Sequence, residues 1–178
     1  AEKVATWLKL ASTYVDAYNA PAGSLWVGAS QQELKLLMGN EKPVSVVNAE
    51  LNGEPCTKEI YSNKELYFNG NGQLVLINVT KPVYPDALAC AKDAYVKAHE
   101  IDVKATKTKD IAAGLETISK KYYEDGMNAY MLGNLKESTG GIEKAADAAA
   151  TAPLSKIDPT SIYNAGYTEG PAQDSNST

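Results

Sequence analysis

Residues 85–105 run PDALACAKDAYVKAHEIDVKA. Alanine is the strongest helix former, and Ala91, Tyr95 and Ala98 recur at four- and three-residue steps, which puts them on one helical face. Small residues on either side of a large one let a neighbouring helix approach closely while the large side chain fills the gap. Working outward from this stretch, residues 108–132 and 135–149 read as two further helices, separated by Gly133-Asn134. Residues 2–19 read as another, with Val4, Trp7, Leu8, Ala11, Tyr14, Val15 and Tyr18 on one face and Pro21 and Gly23 as its stop. Downstream, Pro153 and Pro159 bracket a loop. A last helix is expected from Thr160 or Ser161 to Gly170-Pro171, followed by a frayed tail over 171–178.

Between the first two helices the texture changes. Ser30-Gln-Gln-Glu33 is a capping box. It opens a short helix with Leu34, Leu37 and Met38 on one side, closed by Gly39-Asn40. From Val44 to Val79 β-branched residues dominate, and Asn52-Gly53 and Asn71-Gly72 supply the positive φ that tight hairpins need. The pattern predicts an antiparallel meander with strands at 44–51, 56–61, 65–69 and 73–79. In the last strand Leu74, Leu76 and Asn78 are expected on one face and Val75, Ile77 and Val79 on the other. The glycine-rich tract from Asn69 to Gly72 lies between two strands, so no helix follows it to offer amides to a phosphate. Pro82 and Pro85 end the β region. The expected fold class is therefore α+β, helices with a small inserted meander.

Composition narrows the function. The 178 residues carry a net charge of −5, with every basic residue a lysine, one histidine (His99), one phenylalanine (Phe68) and eleven tyrosines. Without arginine and with acidic balance, nucleic acid is not an expected partner. One histidine and two distant cysteines do not build a zinc site, and most hydrolytic triads would have to use His99 itself. The expectation is a protein that is not an enzyme, with no cofactor and no metal. Cys56 and Cys90 read as two separate thiols, with a disulfide as the alternative. Asp86, Asp93, Glu100 and Asp102 read as a solvated face, with Asp93 and Lys97 as an i,i+4 pair. Lys104, Lys107 and Lys109 mark a bend between helices. No apolar run approaches the length needed to span a bilayer.

The helical pattern repeats. Ser138-x3-Ile142-x2-Ala145 matches Ala91-x3-Tyr95-x2-Ala98 at a distance of 47 residues. Trp7-x2-Leu10-Ala11-x2-Tyr14 supplies the matching first helix. Together these segments resemble tetratricopeptide repeats, whose step is about 34 residues. Gly126 and Gly133-Asn134-Leu135 fit the second unit, Tyr122 stands where a tryptophan is expected, and Asp125 replaces the expected leucine. Tyr163-Asn-Ala-Gly166 resembles the start of a third unit, which predicts that the natural protein continues with more repeats. The whole is similar to irregular repeat proteins exported by Bacteroidetes. Residues 1–19 and 82–170 would form a helical array of antiparallel pairs, with 24–80 inserted inside its first repeat. The insert, from Gly28 to Leu74, weakly resembles small outer-membrane-assembly lipoproteins.

The resemblance implies a scaffold that binds a protein or peptide on the concave face of the array, in the periplasm or at the surface of a bacterium and in association with the cell envelope. Carried over to matching positions, that face would present Lys120, Tyr123, Met127, Tyr130 and Met131 from the second unit and Tyr163 and Tyr167 from the third. Tyrosine and methionine suit such a role through apolar area, a hydroxyl for orientation and adaptable shape. The alternative function is a small-ligand or glycan-binding cleft between the meander and the helices, lined by Trp26, Tyr61 and Tyr67. The expected packing sets the Trp7 helix on helix 85–105, the next two helices on that pair, and the meander as a layer beside the first unit.

Overall fold

The computed structural model describes residues 3–152. The expected last helix, the tail, Tyr163 and Tyr167 lie outside the described residues. In chain order the elements are α1 (Val4–Asn19), α2 (Gln31–Met38), β1 (Ser45–Leu51), β2 (Glu54–Ile60), β3 (Lys64–Phe68), β4 (Leu74–Val79), α3 (Ala87–Ile101), α4 (Thr108–Met131) and α5 (Leu135–Thr151). The chain is thus an α+β protein in which α1 packs on α3, α4 on α5, and α3 on α4. The pairing of α1 with α3 closes the chain across the whole β insert.

The helical core is built from small residues. Ala11, Ala91, Ala94, Ala98, Ala145, Ala148 and Ala149 are buried, with Leu88, Ile111, Leu115 and Ile118 as its large aliphatic side chains. The apolar face expected for the first helix packs against them, Trp7, Tyr14 and Tyr18 included. Alanine faces bring helix backbones close, and glycines bring them closer. At Gly126 an added Cβ would stand 2.9 Å from the Ser138 carbonyl oxygen, and at Gly141 one would stand 2.8 Å from the Gly126 Cα. Positions 126 and 141 therefore meet backbone to backbone. The buried Ser119 hydroxyl donates to the Ala145 carbonyl at 2.7 Å; 119 meets 145 and 126 meets 141, so α4 and α5 run antiparallel. Gly114 leaves room for the Tyr95 ring, whose nearest atom would lie 2.2 Å from a Cβ there.

Helix α3 stops at Ile101, short of the expected 105. The buried Asp102 carboxylate accepts from the Lys107 backbone N–H at 2.8 Å and from the Thr106 N–H and hydroxyl, both at 3.2 Å. Those three bonds hold the carboxyl below its usual range, with the Lys107 N–H as the largest cause. Asp102 thus ties the α3–α4 turn and is not part of a solvated face. Lys97 reaches Glu100 at 4.0 Å.

The meander has strand order β1-β2-β3-β4, all antiparallel. Asn52 and Gly53 both take positive φ in the first hairpin. The Asn69 side chain accepts from the backbone of Asn71 and Gln73 in the last hairpin, where Gly72 alone is left-handed. A bulge opposite Tyr67 and Phe68 corrects the expected alternation. Phe68 pairs with Leu74 and Tyr67 with Leu76, so these two leucines reach opposite sheet faces. One face packs Leu66, Phe68 and Leu74 under Leu34 and Met38 of α2, which carries the expected capping box. Leu37 is exposed, against expectation. The other face gathers Leu51, Tyr67 and Leu76 around Met131. That contact and a 3.4 Å bond from the Asn128 amide to the Ile77 carbonyl join the sheet to the end of α4, in the second helix pair. The expected position beside the first unit is to that extent corrected. Lys64 is buried, its ammonium 2.8 Å from Glu41 and 5.2 Å over the Tyr61 ring.

Candidate functional site

Four helices and the β4–α3 linker enclose a groove of about 400 Å³. Its aromatic wall is built from three parts of the chain: Tyr18 near the end of α1, Tyr84 in the linker and Tyr122 in α4. Tyr84 is held by Tyr14, with ring centroids 5.3 Å apart. The floor is the start of α3, where Ala87 and Leu88 are buried and Ala89 is open. Asp86 precedes the helix in a left-handed conformation, φ 55, which aspartate tolerates better than most residues.

The groove is acidic. Asp86, Asp93, Asp125 and Asp147 line it against Lys92 and Lys144. Lys92 forms an ion pair with Asp147 that clasps α3 to α5. Lys144 lies 5.8 Å over the Tyr122 ring, and Lys121 lies 5.6 Å over the Tyr18 ring at the edge. The Tyr18 hydroxyl donates to Asp125 in a short hydrogen bond. Burial first, then the Asp125 carboxylate, keep the Tyr18 phenol protonated far above its ordinary range. Burial raises the Asp125 carboxyl as well; the Tyr18 hydroxyl, Lys121 and Lys144 offset part of that rise. The residue is exposed as a whole, while its carboxyl is held by the Tyr18 hydroxyl of α1. Tyr122 is pushed up to about 12 by burial and by Asp86, Asp125 and Asp93, so all three carboxylates bear on one hydroxyl. Among the described residues, no lysine closes an ion pair with Asp86 or Asp93.

The residues expected to line the concave face do not share one environment. Lys120 pairs with Glu116 at 3.3 Å along the outside of α4. Tyr123 leans on the helical core, Met127 is half-buried and Tyr130 is exposed. Met131 is taken up by the cluster with Leu51, Tyr67 and Leu76. Tyr61 and Tyr67 are both buried and lie on opposite faces of the sheet, so they do not line one cleft, while Trp26 is exposed. His99 is exposed. Cys56 and Cys90 are free thiols in β2 and α3. Among the described residues no group of histidine, cysteine and carboxylate side chains could hold a metal ion, and no helix is long and apolar enough to cross a membrane.

The groove residues come from separate helices, so no local sequence pattern links Tyr18 to Asp125. One signal was present. Asp125 departs from the leucine expected by the resemblance to the repeat pattern, and in the structure Tyr18 donates to it. Compared with protein-family models, curated proteins and solved structures, the chain matches none.

Proposed function

We propose that this chain is a binding module that holds a segment of a partner protein in the groove between α1, α3, α4 and α5. The observation that carries this reading is the convergence of Tyr18, Tyr84 and Tyr122 on one concave, acid-rimmed space. Phenol rings supply apolar area at little conformational cost and hydroxyls that orient a bound chain. The packing of α1 on α3 and of α4 on α5 supports a tetratricopeptide-like array as the frame. The same resemblance supports an exported protein of a bacterial cell envelope, periplasmic or surface-bound, that acts as a scaffold without catalysis.

The competing reading is the concave face expected from the repeat pattern, with Lys120, Tyr123, Met127, Tyr130 and Met131 of α4. The groove is favoured because Met131 is occupied by the sheet and Tyr123 by the core. Panning a random dodecapeptide library separates the two. Peptides recovered on the wild type should lose binding to Ala89→Trp, which fills the groove from an exposed position, and keep it with the Tyr123→Ala/Tyr130→Ala double variant. Peptides that bind Ala89→Trp as well as the wild type would overturn the groove assignment.

A further inference from the structure

We infer that the groove selects a segment carrying a lysine or arginine side chain, an inference that rests on the partner-segment reading above. The argument is charge complementarity at an aromatic surface. Of the four carboxylates lining the groove, Asp147 is neutralised by Lys92, and Asp125 is bonded to Tyr18 with Lys144 and Lys121 nearby. Asp86 and Asp93 remain without a cation among the described residues. Asp86 just before α3 and Asp93 in its second turn both line the groove, and both bear on the Tyr122 hydroxyl. A guest ammonium or guanidinium between them meets negative charge on one side and a phenol on the other. Tyrosine rings favour such cations, and Tyr122 and Tyr18 already carry the ammonium groups of Lys144 and Lys121 at 5.8 and 5.6 Å. An acidic guest would meet two uncompensated carboxylates and be repelled. A groove of about 400 Å³ has room for one long side chain and its flanks, and not for a folded domain.

The dodecapeptides from the panning experiment provide the test. Groove-dependent binders should be enriched in lysine or arginine. Fluorescence polarisation of the best binder should then show weakening of about fivefold for Asp86→Asn/Asp93→Asn, and a further fall when salt is raised from 50 to 300 mM, since exposed charge pairs are screened. Asparagine keeps the size of each side chain and tolerates the left-handed backbone at 86, and circular dichroism of the double variant confirms the fold. Groove-dependent peptides that are neutral or acidic, or whose affinity ignores both the double variant and salt, would overturn the basic-guest inference and leave the binding module standing. The absence of any groove-dependent peptide would overturn both.

Discussion

The contact between α4 and α5 yields a prediction in which two neighbouring glycines behave oppositely. In a helix interior, Gly→Ala stabilises by about 0.5–1 kcal/mol through propensity alone. At Gly140 the added Cβ would meet nothing within 4 Å, so Gly140→Ala should realise that gain. At Gly141 the same methyl would stand 2.8 and 2.9 Å from the Gly126 Cα and N and 3.0 Å from the Tyr122 carbonyl oxygen. All three are backbone atoms of a helix, so no side chain can rotate aside and the helices must separate. Overpacking of this kind costs about 1–3 kcal/mol. The net effect at 141 is a loss of about 1 kcal/mol, about 2 kcal/mol below Gly140→Ala. With a urea dependence of about 2 kcal/mol per molar, the two midpoints should differ by about 1 M. Urea titration followed by ellipticity at 222 nm reads this directly. If Gly141→Ala unfolds at or above the midpoint of Gly140→Ala, the close approach of the two helices is refuted.

Other side chains give independent expectations. The Asp125 carboxyl is raised by burial, so its ionisation weakens the fold above its folded pKa. Asp125→Asn should therefore raise Tm at pH 7, with the gain shrinking as pH falls through the raised folded pKa and gone by about pH 4, near the unfolded value; an equal gain at pH 7 and pH 4 would contradict this. Asp102 has the opposite sign. Its lowered carboxyl stabilises above the unfolded value and loses that contribution in acid, so Asp102→Asn should lower Tm at pH 7 and matter less as pH falls below about 4. Glu41→Gln leaves the buried Lys64 ammonium without its charge partner and should cost about 1 kcal/mol, whereas adding Lys64→Met to it should restore the urea midpoint. Leu115→Ala removes a fully buried side chain from a core made mostly of alanine and should cost about 3 kcal/mol in the same titration.

The elements were legible because each carries a local signal. The α2 capping box, the hairpin at Asn52-Gly53, the break at Gly133-Asn134 and the apolar stripe from Val4 to Tyr18 all lie within a few residues of what they specify. Pairing of α1 with α3 was legible only through the spacing of small and large residues, since nothing in either helix names its neighbour. The bulge in β4 was not legible: Leu74, Val75 and Leu76 alternate normally, and only the partner strand reveals the extra residue. The candidate site was the least legible part. Tyr18, Asp93, Tyr122 and Asp147 belong to four helices, and their meeting follows from crossing geometry. Asp86 and Asp93 were expected simply to face water; it is the curvature around them that makes a groove.

Positions 126 and 141 also fix something larger than a local contact. Sliding α5 along α4 by one turn would set Gly126 against Glu137 or Ala145, and a side chain would then stand where two backbones now touch. The pair works like a key in a slot: one register is admitted and its neighbours are locked out. Lys144 and Asp147 on α5 are thereby held in a constant offset from Tyr122 and Asp125 on α4. A segment held in the proposed groove would meet walls already shaped and would not have to mould them. Differences among partners should then show chiefly in how long each one stays and much less in how fast it arrives.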